Sequence, residues 1–356
     1  MTMVKDDPYG LRSSDKVRTG FVSGLTFTAK PVRYSEVDGV AMFEGDIILG
    51  TVDEMEAAAR EHDRPPGQTT TPGIGITGQQ FRWPGGIVPY EIAADLPNQA
   101  RVTDAIAHWQ TNTRIRFVLR TAANAADHPN YVTFRPGDGC SSRIGMQGGQ
   151  QFINLGPNCT AGSAIHEIGH CVGLWHEQSR EDRDTFVTIN WANIKPGEEH
   201  NFNQQITDGD DIGAYDFGSI MHYGTDFFSS NGLPTIVTKG GQAIGQRSAL
   251  SVGDLAAVRT LYPQLEASLW SAVLMRSTVA ANQTKTIFSP KWPAHWIVAF
   301  TMVPVSPLQE TSPQLRWRIQ AERQTNAFIK YWMVITNLTG ATVEFDVRYD
   351  VTGWVS

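Results

Sequence analysis

The chain has 356 residues, of which 41% are hydrophobic and 18% charged, and its formal net charge is −7. This length and composition suit two or three globular domains, while the acidic balance argues against a nucleic-acid partner, which favours a basic face. No apolar run reaches 18 residues, so no helix is expected to span a membrane.

The patterns in the first 73 residues predict a separate segment that precedes the main domain. Residues 1–30 show no clear periodicity and are expected to be loosely ordered or extended, whereas Val52 to His62 predicts a short helix. Residues 63–79 are rich in Pro, Gly, Thr and Gln, a composition typical of an exposed linker that proteases cut.

Alternating and helical patterns from Phe81 to Tyr262 predict an α+β domain. The predicted strands cover 87–92, 115–119, 131–134 and a stretch that follows a glycine-rich turn and ends at Leu155. The predicted helices cover 98–113, 161–174, 191–205 and 251–262, the last with Ser251 as its N-cap.

The character of the chain changes after Pro263. Residues 265–356 hold six of the ten tryptophans, and turn signals separate short stretches that alternate with period two. This pattern predicts a small all-β sandwich. Aromatic residues there suit a glycan or cell-surface ligand if they are exposed, but we favour the alternative that they fill the sandwich core. The expected parts are therefore 1–73, 74–264 and 265–356.

One stretch reads H-E-x-x-H-x-x-G-x-x-H-E and begins at His166. On a helix, His166 and His170 lie on one face and can bind the same metal ion. Gly173 suits the end of that helix, so that the chain can return and bring His176 as a third ligand. Three nitrogen ligands and an open position are typical of catalytic zinc. Glu167 lies close to the metal and is free to handle a proton.

The three cysteines leave at least one thiol without an intramolecular partner. Cys140 and Cys159 lie in turn-like surroundings that suit a disulfide. Cys171 lies in the metal helix, where a redox or metal-linked thiol is one interpretation. We favour the other interpretation, a small buried residue that fills core space.

The stretch that begins at His166 and its surroundings resemble the astacin family of zinc metallopeptidases, within the metzincins. The chain resembles in particular a bacterial-type proenzyme with a C-terminal β-domain. The zinc motif continues as E-x-x-R-x-D-R-D to Asp184, and the family's S-I-M-H-Y turn stands at 219–223. The resemblance covers about 80–263. It implies an α+β zincin-like domain with a twisted mixed sheet and a zinc helix, preceded by a pro-segment and followed by the sandwich.

The resemblance also implies roles for single residues. It implies that one zinc ion is bound by His166, His170 and His176. Tyr223 becomes a further ligand that swings away to stabilise the oxyanion, although its residue type alone favours a core tyrosine. Three structural roles follow as well: a floor under the metal for Met221, binding of the new N-terminus for Glu177, and the family disulfide for Cys140 and Cys159. A second family disulfide is absent, because Arg114 stands where a cysteine is expected.

The stretch Phe43-Glu44-Gly45-Asp46 resembles the F-x-G-D aspartate switch of astacin proenzymes. The resemblance implies that Asp46 binds the zinc ion in place of water and keeps the enzyme latent. The alternative is an ordinary aspartate in a Gly-Asp turn. The family's spacing from Trp83 puts the new N-terminus near Ile74.

The expected function is zinc-dependent hydrolysis of peptide bonds. Zinc lowers the pKa of bound water from about 15.7 toward about 7, Glu167 moves the water proton to the leaving amine, and Tyr223 stabilises the oxyanion. An extended substrate is expected to pair with 145–152 as an edge strand. Cleavage of the linker by an activating protease would end the latency.

The expected partners are a protein or peptide substrate, the activating protease, and a glycan or surface ligand of 265–356. We expect a secreted monomer, although no signal peptide is visible at the N-terminus. The alternative function is a secreted glycan- or surface-binding protein whose protease domain is secondary.

Overall fold

The computed structural model describes residues 10–24, 27–62, 74–75, 78–204, 211–266, 270–294, 296–309, 311–325 and 327–354. The chain divides into two compact units, Met1–Tyr262 and Pro263–Ser356. Most of the predicted linker, at 63–73, lies outside the described residues. The predicted division into three parts stays a prediction.

Unit 1 contains twelve strands and four helices among its described residues. The strands are β1 Val17–Ser23, β2 Lys30–Val37, β3 Val40–Phe43, β4 Ile47–Thr51, β5 Ile74–Gly75, β6 Ile87–Ile92, β7 Arg116–Leu119, β8 Tyr131–Pro136, β9 Cys140–Arg143, β10 Gln150–Leu155, β11 Val187–Ile189 and β12 Ile236–Thr238. The helices are α1 Val52–His62, α2 Ala100–Asn112, α3 Ala161–Val172 and α4 Val252–Leu261.

A mixed sheet of ten strands organises unit 1, in the order β5-β1-β2-β3-β4-β9-β10-β8-β6-β7. The first four strands of the chain therefore continue the sheet of the main domain. The junction is a parallel pairing of β4 with β9, in which Ile47 lies opposite Ser142. Residues 17–51 thus hold their place through main-chain hydrogen bonds as well as side-chain packing.

Helices α2 and α3 supply much of the buried apolar surface beside this sheet. The apolar face predicted for α2 is confirmed, since Val102, Ala105, Ile106 and Trp109 are all buried. The indole Nε1 of Trp109 donates to the carbonyl oxygen of Ile165, 3.0 Å away. This bond ties α2 to the middle of α3 and fixes the helix that carries the zinc motif.

Unit 2 is a small all-β sandwich, as predicted. One antiparallel sheet has the order β13-β18-β15 and the other the order β14-β17-β16. The strands are β13 Trp270–Val279, β14 Thr284–Pro293, β15 Trp296–Ser306, β16 Leu315–Arg323, β17 Phe328–Asn337 and β18 Val343–Trp354. Trp292 is buried in the core, whereas the side chain of Trp317 is 40% exposed. The aromatic residues thus serve both core and surface, and the predicted glycan ligand stays a prediction.

Two local predictions are wrong. The helix predicted at 191–205 is replaced among the described residues by short 3-10 turns at Trp191–Asn193 and Glu199–Phe202. Pro196-Gly197 interrupts the stretch, because proline and glycine both disfavour a helix interior.

The second wrong prediction concerns the substrate edge. The stretch 145–152 runs into β10, which lies inside the sheet between β8 and β9. The main domain's own five strands begin at β9 and end at β7, and in this chain β4 pairs with the β9 edge. The sequence did not predict β9, because Cys140 stands in a run of glycines typical of a turn.

The helices predicted at 52–62, 98–113, 161–174 and 251–262 are confirmed within two residues at each end. No helix within the described ranges has both the length and the apolar character needed to cross a membrane.

Arg101 on α2 provides a test of how unit 1 is held together. Its buried guanidinium donates to four carbonyl oxygens, those of Pro97, Leu155, Gly156 and Cys159. Arg101→Met would leave these acceptors unsatisfied, so we expect the free energy of unfolding to fall by about 3 kcal/mol. Chemical denaturation followed by near-UV circular dichroism measures this change. The control Arg259→Met, on the exposed side of α4, should change the value by less than about 0.5 kcal/mol.

Candidate metal centre

The zinc motif lies on α3, whose two ends are fixed by local sequence. Thr160 caps the N-terminus in a reciprocal capping box with Ser163. Gly173 ends the helix in the left-handed region, with φ of 108°, and its N–H donates to the carbonyl oxygens of Gly169 and His170. The predicted helix end at Gly173 is therefore confirmed. The chain turns there and brings His176 back toward the helix.

Three imidazoles and one carboxylate meet in the interior of unit 1. One ligand atom from each of Asp46, His166, His170 and His176 lies within 4.8 Å of the other three. The Nε2 atoms of His166 and His170 are 3.1 Å apart, and both face the Asp46 carboxylate. His176 Nε2 lies 3.2 Å from Asp46 Oδ1. All four residues are at most 2% exposed.

The other nitrogen of each imidazole is fixed by an acceptor. Nδ1 of His166 donates to the carbonyl oxygen of Ile220, and Nδ1 of His170 donates to that of Leu174, each at 2.8 Å. Nδ1 of His176 donates to the carboxylate of Glu44, also at 2.8 Å. A carbonyl or carboxylate acceptor requires a proton on Nδ1, so in the neutral imidazole the lone pair is on Nε2.

This arrangement fits a zinc ion. Three Nε2 lone pairs and a carboxylate point at one small space, where they repel one another unless a cation lies between them. Asp46 Oδ1 has no hydrogen-bond partner among the described residues, although it is buried. Three imidazoles and an oxygen match the donor set and number of tetrahedral zinc, and acceptors on Nδ1 are usual behind zinc-binding histidines.

The buried charges of the centre act strongly on one another. Burial and the guanidinium of Arg247 lower the pKa of His166 to about 3. Burial also disfavours a charge on His176, but the carboxylates of Asp46 and Glu44 raise its pKa to about 9. For Asp46, burial acts to raise the pKa, yet the three imidazoles hold it well below its usual value.

Glu167 lies on α3 next to His166, and its side chain is 1% exposed. Burial and the nearby carboxylate of Asp46 raise the pKa of Glu167 well above its ordinary value. Its Oε2 has no hydrogen-bond partner among the described residues. The structure therefore contains a buried carboxyl oxygen, next in sequence to His166, that is free to take or give a proton.

Met221 packs against α3. Its Sδ lies 2.6 Å from the position that a Cβ would take at Gly169. A larger residue at the second variable position of H-E-x-x-H would displace this methionine, which explains the glycine there. The turn that carries Met221 is held by Asp254 of α4, which accepts from Ser219 Oγ at 2.6 Å and from Ile220 N at 2.9 Å.

Tyr223 is fully buried, and its ring lies 4.8 Å from that of His176. Its hydroxyl donates to the carbonyl oxygen of Glu44 rather than to the space between the imidazoles. Glu44 adopts a φ of 49°, which is uncommon for a residue with a side chain. Its carboxylate compensates by accepting from His176 and from Ser179 Oγ, the latter at 2.7 Å. The metal role of Tyr223 stays a prediction.

Glu177 follows His176 in the chain, and its carboxylate accepts from Asp216 N at 2.7 Å and lies 3.5 Å from Arg180 Nε. Burial raises the pKa of Glu177 to about 8. Its predicted partner, a new N-terminus near Ile74, lies in this chain in β5, where Ile74 pairs with Val22 of β1. The predicted role of Glu177 stays a prediction.

The predicted disulfide is confirmed, with Cys140 bonded to Cys159 across a Cα separation of 5.9 Å. Cys171 is a free, fully buried thiol. Burial raises the pKa of Cys171 to about 12, so the thiolate that redox or metal chemistry needs is disfavoured. The interpretation of Cys171 as a core residue agrees with this placement.

Several residues of the centre were not predicted from the sequence. Glu44 stands inside the F-x-G-D motif, but its position there is variable, and only the fold brings it to His176. Arg247 is partly buried and donates to the carbonyl oxygens of His222 and Gln246. Its charge helps to lower the pKa of His166, although the two residues stand 81 positions apart in the chain. No local motif in the sequence indicates this role.

A family model described as Astacin, a peptidase family, matches residues 75–263. Protein SpAN of Strongylocentrotus purpuratus is 36% identical over 269 residues, which cover 72% of this chain and 43% of that protein. Zinc metalloproteinase nas-15 of Caenorhabditis elegans is 40% identical over 191 residues, which cover 51% of this chain and 32% of that protein. The chain therefore spans less than half the length of these curated relatives.

Among solved structures, the chain is similar to high choriolytic enzyme 1, a hatching enzyme zinc-protease from Oryzias latipes. The sequence identity is 34%, the match covers 51% of this chain and 92% of that chain, and the TM-score is 0.47.

Metal content tests the centre without any activity assay. We expect the purified chain to hold one zinc ion, and His166→Ala to hold at most a tenth of that amount, because one of three nitrogen ligands is lost. Inductively coupled plasma mass spectrometry after gel filtration measures the ratio. The control His128→Ala changes a histidine outside the centre and should keep full zinc content. Equal zinc in both variants would contradict the assignment.

Proposed function

The chain belongs to the astacin family of peptidases, and on that premise we propose that it is a zinc-dependent endopeptidase held as a latent proenzyme by Asp46. The observation that most strongly supports the proposal is the convergence of three imidazole Nε2 atoms on the Asp46 carboxylate. The same space that the carboxylate fills is the one a substrate carbonyl and a water molecule would need.

His166, His170 and His176 hold the zinc ion in this proposal, and their Nδ1 acceptors keep all three Nε2 atoms aimed at it. When bound, zinc supplies a Lewis acid that polarises a carbonyl oxygen and lowers the pKa of a bound water. Glu167 accepts the proton of the attacking water at Oε2 and returns it to the leaving amine.

Tyr223 supplies a hydrogen-bond donor for the transition state. Its hydroxyl is engaged by the Glu44 carbonyl in the uncut chain. Departure of residues 43–46 removes this acceptor, and the hydroxyl beside His176 can then donate to the developing oxyanion. The edge strand β9 then becomes available to an extended substrate, because Ser142 N no longer donates to the carbonyl oxygen of Asp46, 2.9 Å away in the uncut chain.

In this proposal, latency follows from the position of Asp46 directly before β4. Its carboxylate reaches the imidazoles while its carbonyl oxygen accepts from β9, so one residue blocks both the metal position and the substrate edge. A protease that cuts near Ile74 would separate residues 1–73 from the catalytic domain. The expected substrates are proteins or peptides.

We also propose an extracellular location. The bond between Cys140 and Cys159 favours an oxidising compartment, because cytosolic thiol systems reduce such bonds.

Replacement of the general base tests the mechanism. Glu167→Ala should keep its zinc ion but lose about 10²–10⁴-fold in kcat/KM, since it removes proton transfer and not metal binding. Cleavage of a fluorogenic peptide by the activated chain, together with metal analysis, measures both quantities. Turnover at the wild-type level with zinc bound would refute the role of Glu167.

Removal of the Asp46 carboxylate tests the proposed latency. Asp46→Ala in the uncut chain should give partial peptidase activity without proteolysis, at least tenfold above the uncut wild type, because the metal position is then open. The activity should stay below that of the cut chain, because the carbonyl oxygen of residue 46 still accepts from Ser142 N. A zinc chelator should abolish that activity. Asp53→Ala, an exposed acidic residue in the first turn of α1, is the control and should stay latent. If the uncut wild type were already fully active, the proposed latency through Asp46 would be refuted, whereas the proposed peptidase activity would stand.

A further inference from the structure

The segment Gly10–Ser14 lies far from Asp46 in the sequence but packs on the same part of the catalytic domain. We call this segment the arm. Leu11 is 4% exposed and belongs to an apolar cluster whose nine other buried members all come from residues 187–236. Among the described residues of the first 73, Leu11 is the only one in that cluster, since residues 22–55 pack into a separate core.

The backbone of the arm uses the same edge strand as β4. Cys140 N donates to the carbonyl oxygen of Gly10 at 2.9 Å, whereas Ser142 N donates to that of Asp46. Arg12 N donates in turn to the carbonyl oxygen of Gly45 at 2.7 Å. Two separate pieces of the N-terminal segment thus cover alternate donors of β9.

The fit between the arm and the disulfide leaves no room for side chains. A Cβ at Gly139 would lie 2.3 Å from the carbonyl oxygen of Gly10 and 2.6 Å from Cγ of Arg12. A Cβ at Gly10 would lie 2.6 Å from Sγ of Cys140, and Gly10 has a φ of 85°. Both glycines therefore permit the close approach of the two chains.

A polar contact fixes the far end of the arm. Ser13 Oγ donates to Glu198 Oε1 at 2.5 Å, and both side chains are buried. Asn201 Nδ2 donates to the other carboxylate oxygen of Glu198 at 2.9 Å. The catalytic domain thus offers an apolar position for Leu11 of the arm. It also offers a buried carboxylate to the hydroxyl of Ser13, two residues further along the arm.

We propose that this surface is a peptide-docking site, distinct from the metal position, that takes an extended segment of the pattern Gly-Leu-x-Ser. The arm is its occupant in the uncut chain and holds the N-terminal segment in place after the linker is cut. The consequence for latency rests on the proposed function, but the binding itself does not. A cut in the linker would then be insufficient for activation until the arm leaves its site.

The test follows the N-terminal fragment after a defined cut. A recognition sequence for a site-specific protease is inserted between Gly67 and Gln68, in a Glu167→Ala background that prevents self-digestion. After the cut, gel filtration measures the rate at which the fragment separates from the remaining chain. We expect slow release from the parent chain and release about ten- to a hundredfold faster with Leu11→Asp, because a buried leucine contact is lost.

A second variant places the change on the other side of the contact. Gly139→Ala adds a methyl group whose nearest neighbours are atoms of Gly10 and Arg12, so it should speed release without altering the arm. The controls are Leu119→Asp, an exposed leucine of the catalytic domain, and Gly340→Ala, which meets nothing within 4 Å. Both controls should release the fragment at the parent rate.

The outcomes separate this inference from the proposed function. Release at the parent rate in both Leu11→Asp and Gly139→Ala would overturn the docking site, even if the cut chain with Glu167 proves to be a peptidase. Faster release in Gly139→Ala supports the docking site, even if Leu11→Asp does not fold and even if no form of the chain cleaves peptides.

Discussion

The carboxylate of Asp46 lies in the interior of unit 1 among three imidazole Nε2 atoms. Lone pairs and a buried anion in one small space are stable only with positive charge between them, whether from protons or from a metal ion. Each imidazole already uses its Nδ1 proton on another acceptor. The centre is therefore built for a cation, and the elements around it serve to hold these four side chains in that geometry.

The N-terminal segment reaches this centre because it joins the sheet. Strand β4 pairs with β9, so main-chain hydrogen bonds fix where Asp46 stands before any side-chain contact is counted. Gly45, with φ of 79°, allows the chain to pass the ring of Phe228, whose tip lies 2.8 Å from where a Cβ would be. Backbone pairing tolerates many sequences, so the specificity of this contact resides in Glu44, Asp46 and the close approach at Gly45.

Residues outside the centre touch its side chains and hold them in place. Asp254 holds the turn 219–221, whose Ile220 carbonyl fixes His166, while Met221 fills the space above Gly169. Glu44 links His176 to Ser179 and, through its carbonyl oxygen, to Tyr223. Departure of the N-terminal segment would therefore release Asp46 and also the partners of His176 and Tyr223. In the proposed activation, one event would therefore change the access to the metal position, the acceptor of His176 Nδ1 and the acceptor of the Tyr223 hydroxyl.

Local sequence determined the parts of this protein whose physics is local. The spacing of His166 and His170, the helix end at Gly173 and the capping box at Ser251 depend on contacts within a few residues, and all could be predicted. The period-two alternation after Pro263 likewise predicted the sandwich, because burial on one face repeats every second residue. The resemblance extended this to Asp46 and to the bond between Cys140 and Cys159.

The tertiary structure alone decided which distant groups meet. Three contacts join residues more than 90 positions apart. They are the pairing of β4 with β9, the hydrogen bond from His176 to Glu44, and the packing of Leu11 in its apolar cluster. A strand edge has no sequence signature of its own, since its main-chain groups are the same at every residue. The helix expected at 191–205 was wrong and the substrate edge was misplaced for related reasons: short-range patterns state what a segment can form, and the neighbours it meets decide what it does form.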